Sequence, residues 1–181
     1  MKTSRLLAGA MTLGLGIAAS LTVVPSTLHA QNVGSGQTGG SVAFVRDAGS
    51  AGHFEVESAG MALQRSQNIG VRGYATQSLK DATEMVNRVK FINESNVSAP
   101  MPNGPNDSQQ ATINRLAGLN GAEFDREYMR SQIEVSDSLA KTFRAYGANG
   151  ESATLRVYAA KSVTDYEDQV ARARTVAGSL Q

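Results

Sequence analysis

The sequence predicts an all-α protein, a four-helix bundle with a short extra helix between its second and third long helices. Two observations carry that expectation. Small and apolar residues return at steps of three and four along four separate segments, and no alternating strand pattern of useful length comes between them. A third observation sets the scale. With an export-type N-terminal segment set aside, about 150 residues remain, a normal size for one domain with a sizeable core.

That N-terminal segment, residues 1–30, has Lys2 and Arg5 at its start, an apolar run over residues 6–24, and then Pro25 and Ser26. Leu28-His29-Ala30 offers a small residue at a cut position, completing the layout of a secretory signal peptide. The competing reading is an uncleaved anchor, since roughly 20 apolar residues span a bilayer. The small residues before Ala30 favour cleavage, and no transmembrane helix is expected beyond that point. Residues 31–40 (QNVGSGQTGG) read as a flexible, glycine-rich leader, and residues 41–181 as the bundle domain.

The export segment holds two of the 17 basic residues and none of the 16 acidic ones, so 15 face 16 in the remainder. A nucleic-acid binder would show a basic excess, and a peripheral membrane protein a basic amphipathic face. Neither is present. There is no cysteine, which removes disulfides, thiolate nucleophiles and cysteine-ligated metals; the fold must stand on its core.

Within the domain, Val45, Ala48, Ala51, Ala59, Ala62 and Ser66 share one helical face with Glu55. Gly49, Gly52 and Gly60 each cost roughly 1 kcal/mol of helix propensity relative to Ala, so this first helix is expected to fray or kink. Asn68 and Gly70 mark a turn. The second helix presents Val71, Ala75, Leu79, Ala82, Val86 and Val89, with Tyr74, Met85 and Ile92 at the edge, and ends near Asn96. Three of the four prolines follow in residues 97–105 (VSAPMPNGP), which forbids a helix there and makes a long exposed connection able to cross the end of the bundle. Asn106, Asp107 or Ser108 can cap a short helix running to Leu116 or Ala117. After the GLNG turn at residues 118–121, the third long helix carries Phe124, Tyr128, Val135, Leu139, Phe143 and Tyr146, with Gly147 as its natural stop. The last starts at Asn149 or Ser152 and carries Leu155, Tyr158, Ser162, Tyr166, Gln169, Ala173, Val176 and Leu180.

The segments EVESAGMALQRS (residues 55–66), VRGYATQSLKDAT (residues 71–83) and LAGLNGAEFDREYMRSQ (residues 116–132) resemble the exported, ferritin-like family catalogued as domain of unknown function 4142. The most specific part is a GxxFDRxY element made here by Gly121, Phe124, Asp125, Arg126 and Tyr128. The resemblance implies a ferritin-like bundle, periplasmic or associated with the outer membrane, with no settled activity. It also implies a glutamate in the first helix, an Asp-His pair in the second and one histidine in each of the last two. This chain keeps Glu55 and Asp81, but Ala82, Ser136 and Gln169 stand where those histidines would be. A di-iron site in such a bundle needs several inward glutamates and histidines, two of them in Glu-x-x-His pairs. No such pair occurs here, and beyond the export segment His53 is the single histidine, so no metal and no cofactor is expected.

Glu55 is the leading candidate site residue, because a carboxylate on an alanine-lined face must find a partner or stay protonated. Three readings are open: a cross-bundle hydrogen bond that fixes helix register, exposure through a kinked helix, or a ligand or metal role. Ser136 and Gln169, with Ser162, would join it as ligand-binding residues if they line a common polar pocket. The plainer alternative, and the favoured one, places them at the bundle's edge. His53 is expected to be exposed near a glycine-rich turn. Asp125 suits helix-start electrostatics or a bond to the preceding loop, and Arg126 could hold a carboxylate or the long loop.

No catalytic constellation is found: GxSxG, phosphate-cradling glycine loops and a serine paired with an available histidine are all missing. The expectation is a non-enzymatic envelope protein that binds a partner protein or small ligand. The alternatives are a ferritin-like metal-binding protein or oxidase, and a purely structural spacer.

Overall fold

Helix boundaries follow from which side chains can take over the orphaned N–H groups of a first turn. The structure, a computed structural model, describes residues 40–180; the expected signal peptide, residues 1–30, and residues 31–39 of the expected leader lie outside the described residues. Asn68 accepts from Val71 N and starts α2 (Ile69–Asn96). Asn106 and Gln109 form a reciprocal capping box at α3 (Asp107–Ala117). Ser152 caps α5 (Ala153–Gly178). α4 (Gly121–Asn149) opens on Gly121, whose φ of 55° is a conformation that L side chains rarely adopt. α1 (Ser41–Arg65) lacks a cap of its own. Glu151, from the α4–α5 turn, accepts from Ser41 N instead, and the Tyr146 hydroxyl bonds Ser41 Oγ at 2.7 Å.

These contacts also give the topology. The start of α1 meets the end of α4, while Arg65 at its other end donates to the carbonyls of Ala117 and Leu119, just ahead of α4. Thr154 of α5 reaches Asn96 of α2. α1 is therefore antiparallel to α2 and α4, α5 is antiparallel to both of those, and the ring order is α1, α2, α5, α4. α2 and α4 run parallel across the diagonal, so the connection between them must travel the length of the bundle. It does so along the outside, over α1, and α3 then packs against α1 and α4 through Ile113 and Leu116. The expected passage across the bundle end is thus corrected to a strap along the side.

The strap is pinned at its start and middle. Asn93 exchanges two hydrogen bonds with the backbone of Ala99, both 2.9 Å, around Ser98 at φ 59°. His53 Nε2 meets the Pro102 carbonyl at 3.1 Å. His53 is consequently half-buried under the strap, not exposed at a glycine turn as expected. α1 runs unbroken, and two of its glycines, Gly49 and Gly52, are places of close approach. A Cβ on Gly49 would lie 2.7 Å from Pro102 Cγ, and one on Gly52 would lie 2.3 Å from Val86 Cγ2.

Other boundaries shift for similar reasons. Gly147 does not stop α4, which continues to Asn149. Its missing side chain lets α5 in: a Cβ there would sit 2.8 Å from both Ala160 Cα and Ala160 N. On α2 the buried face is rotated toward Tyr74, Ser78, Met85 and Ile92, leaving Leu79 and Val86 half-buried. Phe44 and Phe54, absent from the expected stripe of α1, are buried in the core; Phe44 stacks on Tyr146 at a centroid distance of 4.2 Å.

The close α4–α5 approach makes a prediction against propensity. Gly147→Ala should destabilise the protein by about 1–3 kcal/mol through overpacking on backbone atoms. Gly60→Ala, where the added carbon meets nothing, should stabilise it by about 0.5–1 kcal/mol. Urea denaturation of the two variants checks this, and equal stabilisation by both would refute the close-packing account.

Candidate functional site

The apolar core is divided in two. One cluster includes Phe44, Ala51, Met85, Leu139 and Tyr166, and the other Ala59, Ala75, Leu116, Met129 and Ala173. Along every long helix the interval between the clusters holds polar residues that are buried all the same: Glu55 and Ser58 on α1, Ser78 on α2, Gln132 and Ser136 on α4, and Gln169 on α5. They form a polar layer at mid-height.

Glu55 is its centre, 1% exposed. Gln169 Nε2 donates to Glu55 Oε1 at 2.7 Å, and Ser136 Oγ donates to the same oxygen at 3.4 Å. A second chain of bonds runs beside it: Ser78 Oγ donates to Gln132 Oε1 at 3.3 Å, Gln132 Nε2 to Ser58 Oγ at 2.9 Å, and Ser58 Oγ to the Glu55 backbone carbonyl at 3.3 Å. All four long helices are joined through these side chains.

Ser136 and Gln169, expected at the edge, are fully buried against Glu55, because α4 and α5 turn those positions inward between Tyr128 and Leu139 and between Tyr166 and Ala173. Ser162 is also buried. Glu55 and Gln169 face each other across the interior. Ser58, Ser78 and Gln132 were missed by a reading that followed apolar stripes. Gln132 was findable, since it lies four residues beyond Tyr128 and four before Ser136 on the same face.

Burial dominates the electrostatics. Removal from water pushes the Glu55 carboxyl from its usual value near 4.5 up to about 8. The bonds from Gln169 and Ser136 pull the other way, and the charge of Asp81 adds to the rise. At neutral pH Glu55 therefore holds its proton. Burial also raises Tyr74 to about 12 and carries Tyr128 and Tyr166 well above the ordinary phenol range, with the Glu55 charge contributing to each. The Tyr74 and Tyr128 hydroxyls are buried without a partner among the described residues.

Asp81 is half-buried at the edge, held by Gln77 at 2.7 Å and by Arg172 at 3.7 Å. With Tyr158, Tyr166 and Gln169 it lines a groove of about 880 Å³ between α2 and α5. In the motif element, Phe124 and Tyr128 are fully buried with stacked rings. Arg126 is exposed; its neighbour Glu127 takes the ion-pair role, bridging Arg115 of α3 and Arg130. Asp125 is 7% exposed, and its Oδ1 has no partner among the described residues, in place of the expected bond to the loop.

The layer does not fit a metal centre. It offers one carboxyl that favours its proton, and carboxamides and hydroxyls that donate toward it. Among the described residues, no group of three or more His, Cys, Asp or Glu is arranged to hold an ion.

This architecture defines a four-helix bundle whose apolar interior is crossed by a polar layer with a single acid at its centre. The chain belongs to the family described as Domain of unknown function (DUF4142), which residues 27–176 match. Two solved structures share the fold. A DUF305 protein from Streptomyces coelicolor is 13% identical with a TM-score of 0.66, the match covering 80% of this chain and 96% of that one. CopM in its Cu(II)-bound form is 15% identical with a TM-score of 0.66, over 78% of this chain and 98% of that one. No curated protein matches.

The protonated carboxyl has a measurable consequence. Folding raises the Glu55 pKa, so between the ordinary glutamate value and about 8 the folded chain keeps a proton that the unfolded chain has released. The stability this contributes is complete below the ordinary value and is lost as pH rises through about 8. Stability should fall between pH 5 and pH 9 by an amount on the order of a few kcal/mol, and Glu55→Gln should remove most of that slope. Urea midpoints across the range test this; equal slopes in the two proteins would refute a buried, protonated Glu55.

Proposed function

We propose that this protein is an exported, non-enzymatic binding module of the bacterial cell envelope, acting through its outer surface on a partner protein or small ligand. The observation that carries the reading is that Glu55 Oε1 accepts from two neutral donors, Gln169 and Ser136. These partners are a carboxamide and a hydroxyl that donate to the carboxyl, and a carboxyl that keeps its proton is a poor metal ligand. The interior thus serves to hold the helices in register, and recognition falls to the strap, the bundle ends and the α2–α5 groove. Export is supported by the three-part layout of residues 1–30, and no described helix is long and apolar enough to cross a membrane. Near-neutral charge beyond the export segment argues against nucleic acid as partner.

The copper of CopM belongs to that protein; at 15% identity the likeness extends to the fold. Elemental analysis of protein purified from its native compartment separates the two readings. The binding-module reading expects iron, zinc and copper to be substoichiometric and unchanged by Glu55→Ala. Stoichiometric metal that disappears in Glu55→Ala would establish a ferritin-like metal-binding protein or oxidase instead.

A further inference from the structure

At the end of the bundle where α1 and α5 finish and α2 and α4 begin, the chain leaves a recess of about 820 Å³, within the size range of small-molecule sites. Its lining mixes polar and apolar surface, with Ala122 and Leu180 beside the polar side chains. Gln64 and Arg65 come from α1, Gln67 and Asn68 from the turn, and Asn120 and Asp125 from the start of α4. Two helix C-termini and two helix N-termini meet here, so their opposed macrodipoles largely cancel. The local field is left to the charged side chains.

Arg65 and Asp125 share the recess without forming an ion pair among the described residues. The Arg65 guanidinium is drawn away, donating from Nη1 to the Ala117 and Leu119 carbonyls at 2.9 and 3.1 Å. Asp125 is more than nine-tenths buried, and its Oδ1 has no donor among the described residues. A buried carboxylate with no partner is costly, and that cost is removed by whatever brings it a charged donor. Asn68 is committed to capping α2. Gln64, Gln67 and Asn120 are exposed around the opening, and their carbonyls can accept further hydrogen bonds.

We infer that this recess binds a small ligand through a protonated primary amine, with Asp125 as the anionic anchor and the carboxamides of Gln64, Gln67 and Asn120 as acceptors for the remaining N–H groups. An ammonium carries three donors and no acceptor, which matches one unpartnered carboxylate in a recess that three carboxamide side chains also line. A divalent ion matches less well, because a hard cation requires six or more oxygens and more than one carboxylate is the usual provision. The inference names a site and a ligand chemistry within the binding-module reading but does not depend on the state of Glu55. Its failure would leave that reading to the elemental analysis described above.

The test uses 1,5-diaminopentane as probe and its diacetylated form as the uncharged control, with isothermal calorimetry and thermal unfolding on the full chain after export. The diamine should bind one-to-one and raise Tm, and the diacetylated compound should do neither. Asp125→Asn removes a charge-assisted bond worth a factor of about 10–100 in affinity. It should lose diamine binding by at least that lower factor while keeping its helical circular dichroism. Asn120→Ala, on the exposed rim, should fold normally and bind a few-fold more weakly. Equal binding of the diacetylated compound, undiminished binding by Asp125→Asn, or no binding of the diamine by the unsubstituted protein would each overturn the inference.

Discussion

A carboxyl placed at mid-height in a helical bundle constrains everything packed around it, because its burial must be offset by donors arriving from other helices. The 2.7 Å bond from Gln169 to Glu55 is where that constraint is met. It joins α1 to α5, which are diagonal in the ring, and so spans the interior through its centre. The bond from Ser136 and the Ser78–Gln132–Ser58 chain bring in the remaining helices. A vertical slip of one helix by a turn would set these groups against apolar neighbours, at a cost of about 1–3 kcal/mol for each buried polar group left without a partner. The apolar clusters above and below supply cohesion without selecting register so sharply.

Close approach makes such an interior possible. Glycines at the contact points of α1 and α4 bring the strap, α2 and α5 within distances that a Cβ would forbid. The helix propensity lost at those residues is recovered as packing. The strap is itself a requirement of topology: α2 and α4 run parallel across the diagonal, so the chain must return along the bundle before α4 can begin. Proline cannot continue a helix through residues 97–105, and the capping box at Asn106 restarts one where α1 and α4 leave an apolar groove.

The bond network shows how this interior departs from the donor set that the family resemblance implies. Where the family resemblance implies imidazoles, two of the positions meet at one glutamate. The residues here are serine and glutamine, which donate to the carboxyl instead of sharing an ion with it. Burial outweighs the pull of those bonds and keeps the acid neutral, so its protonation becomes part of the folding equilibrium.

The helices and most of their limits are legible in the amino-acid order alone. Apolar residues at steps of three and four, asparagine and serine caps and a proline cluster act within a few residues of one another, so the chain states them locally. It also singled out Glu55, since an acid on an alanine face conflicts with its surroundings. Only the tertiary structure decided that Ser136 and Gln169 close on Glu55, that Ser58, Ser78 and Gln132 complete the layer, and that Asp125 stands without a partner. A serine or glutamine on a helix satisfies its hydrogen bonds equally well in water or across a core. Which occurs depends on the rotation of each helix about its axis, and that is set by the fit of four surfaces together. Gly49, Gly52 and Gly147 show the same limit: locally they lower helix propensity, and only a neighbouring helix or strap at close distance reveals why they are there.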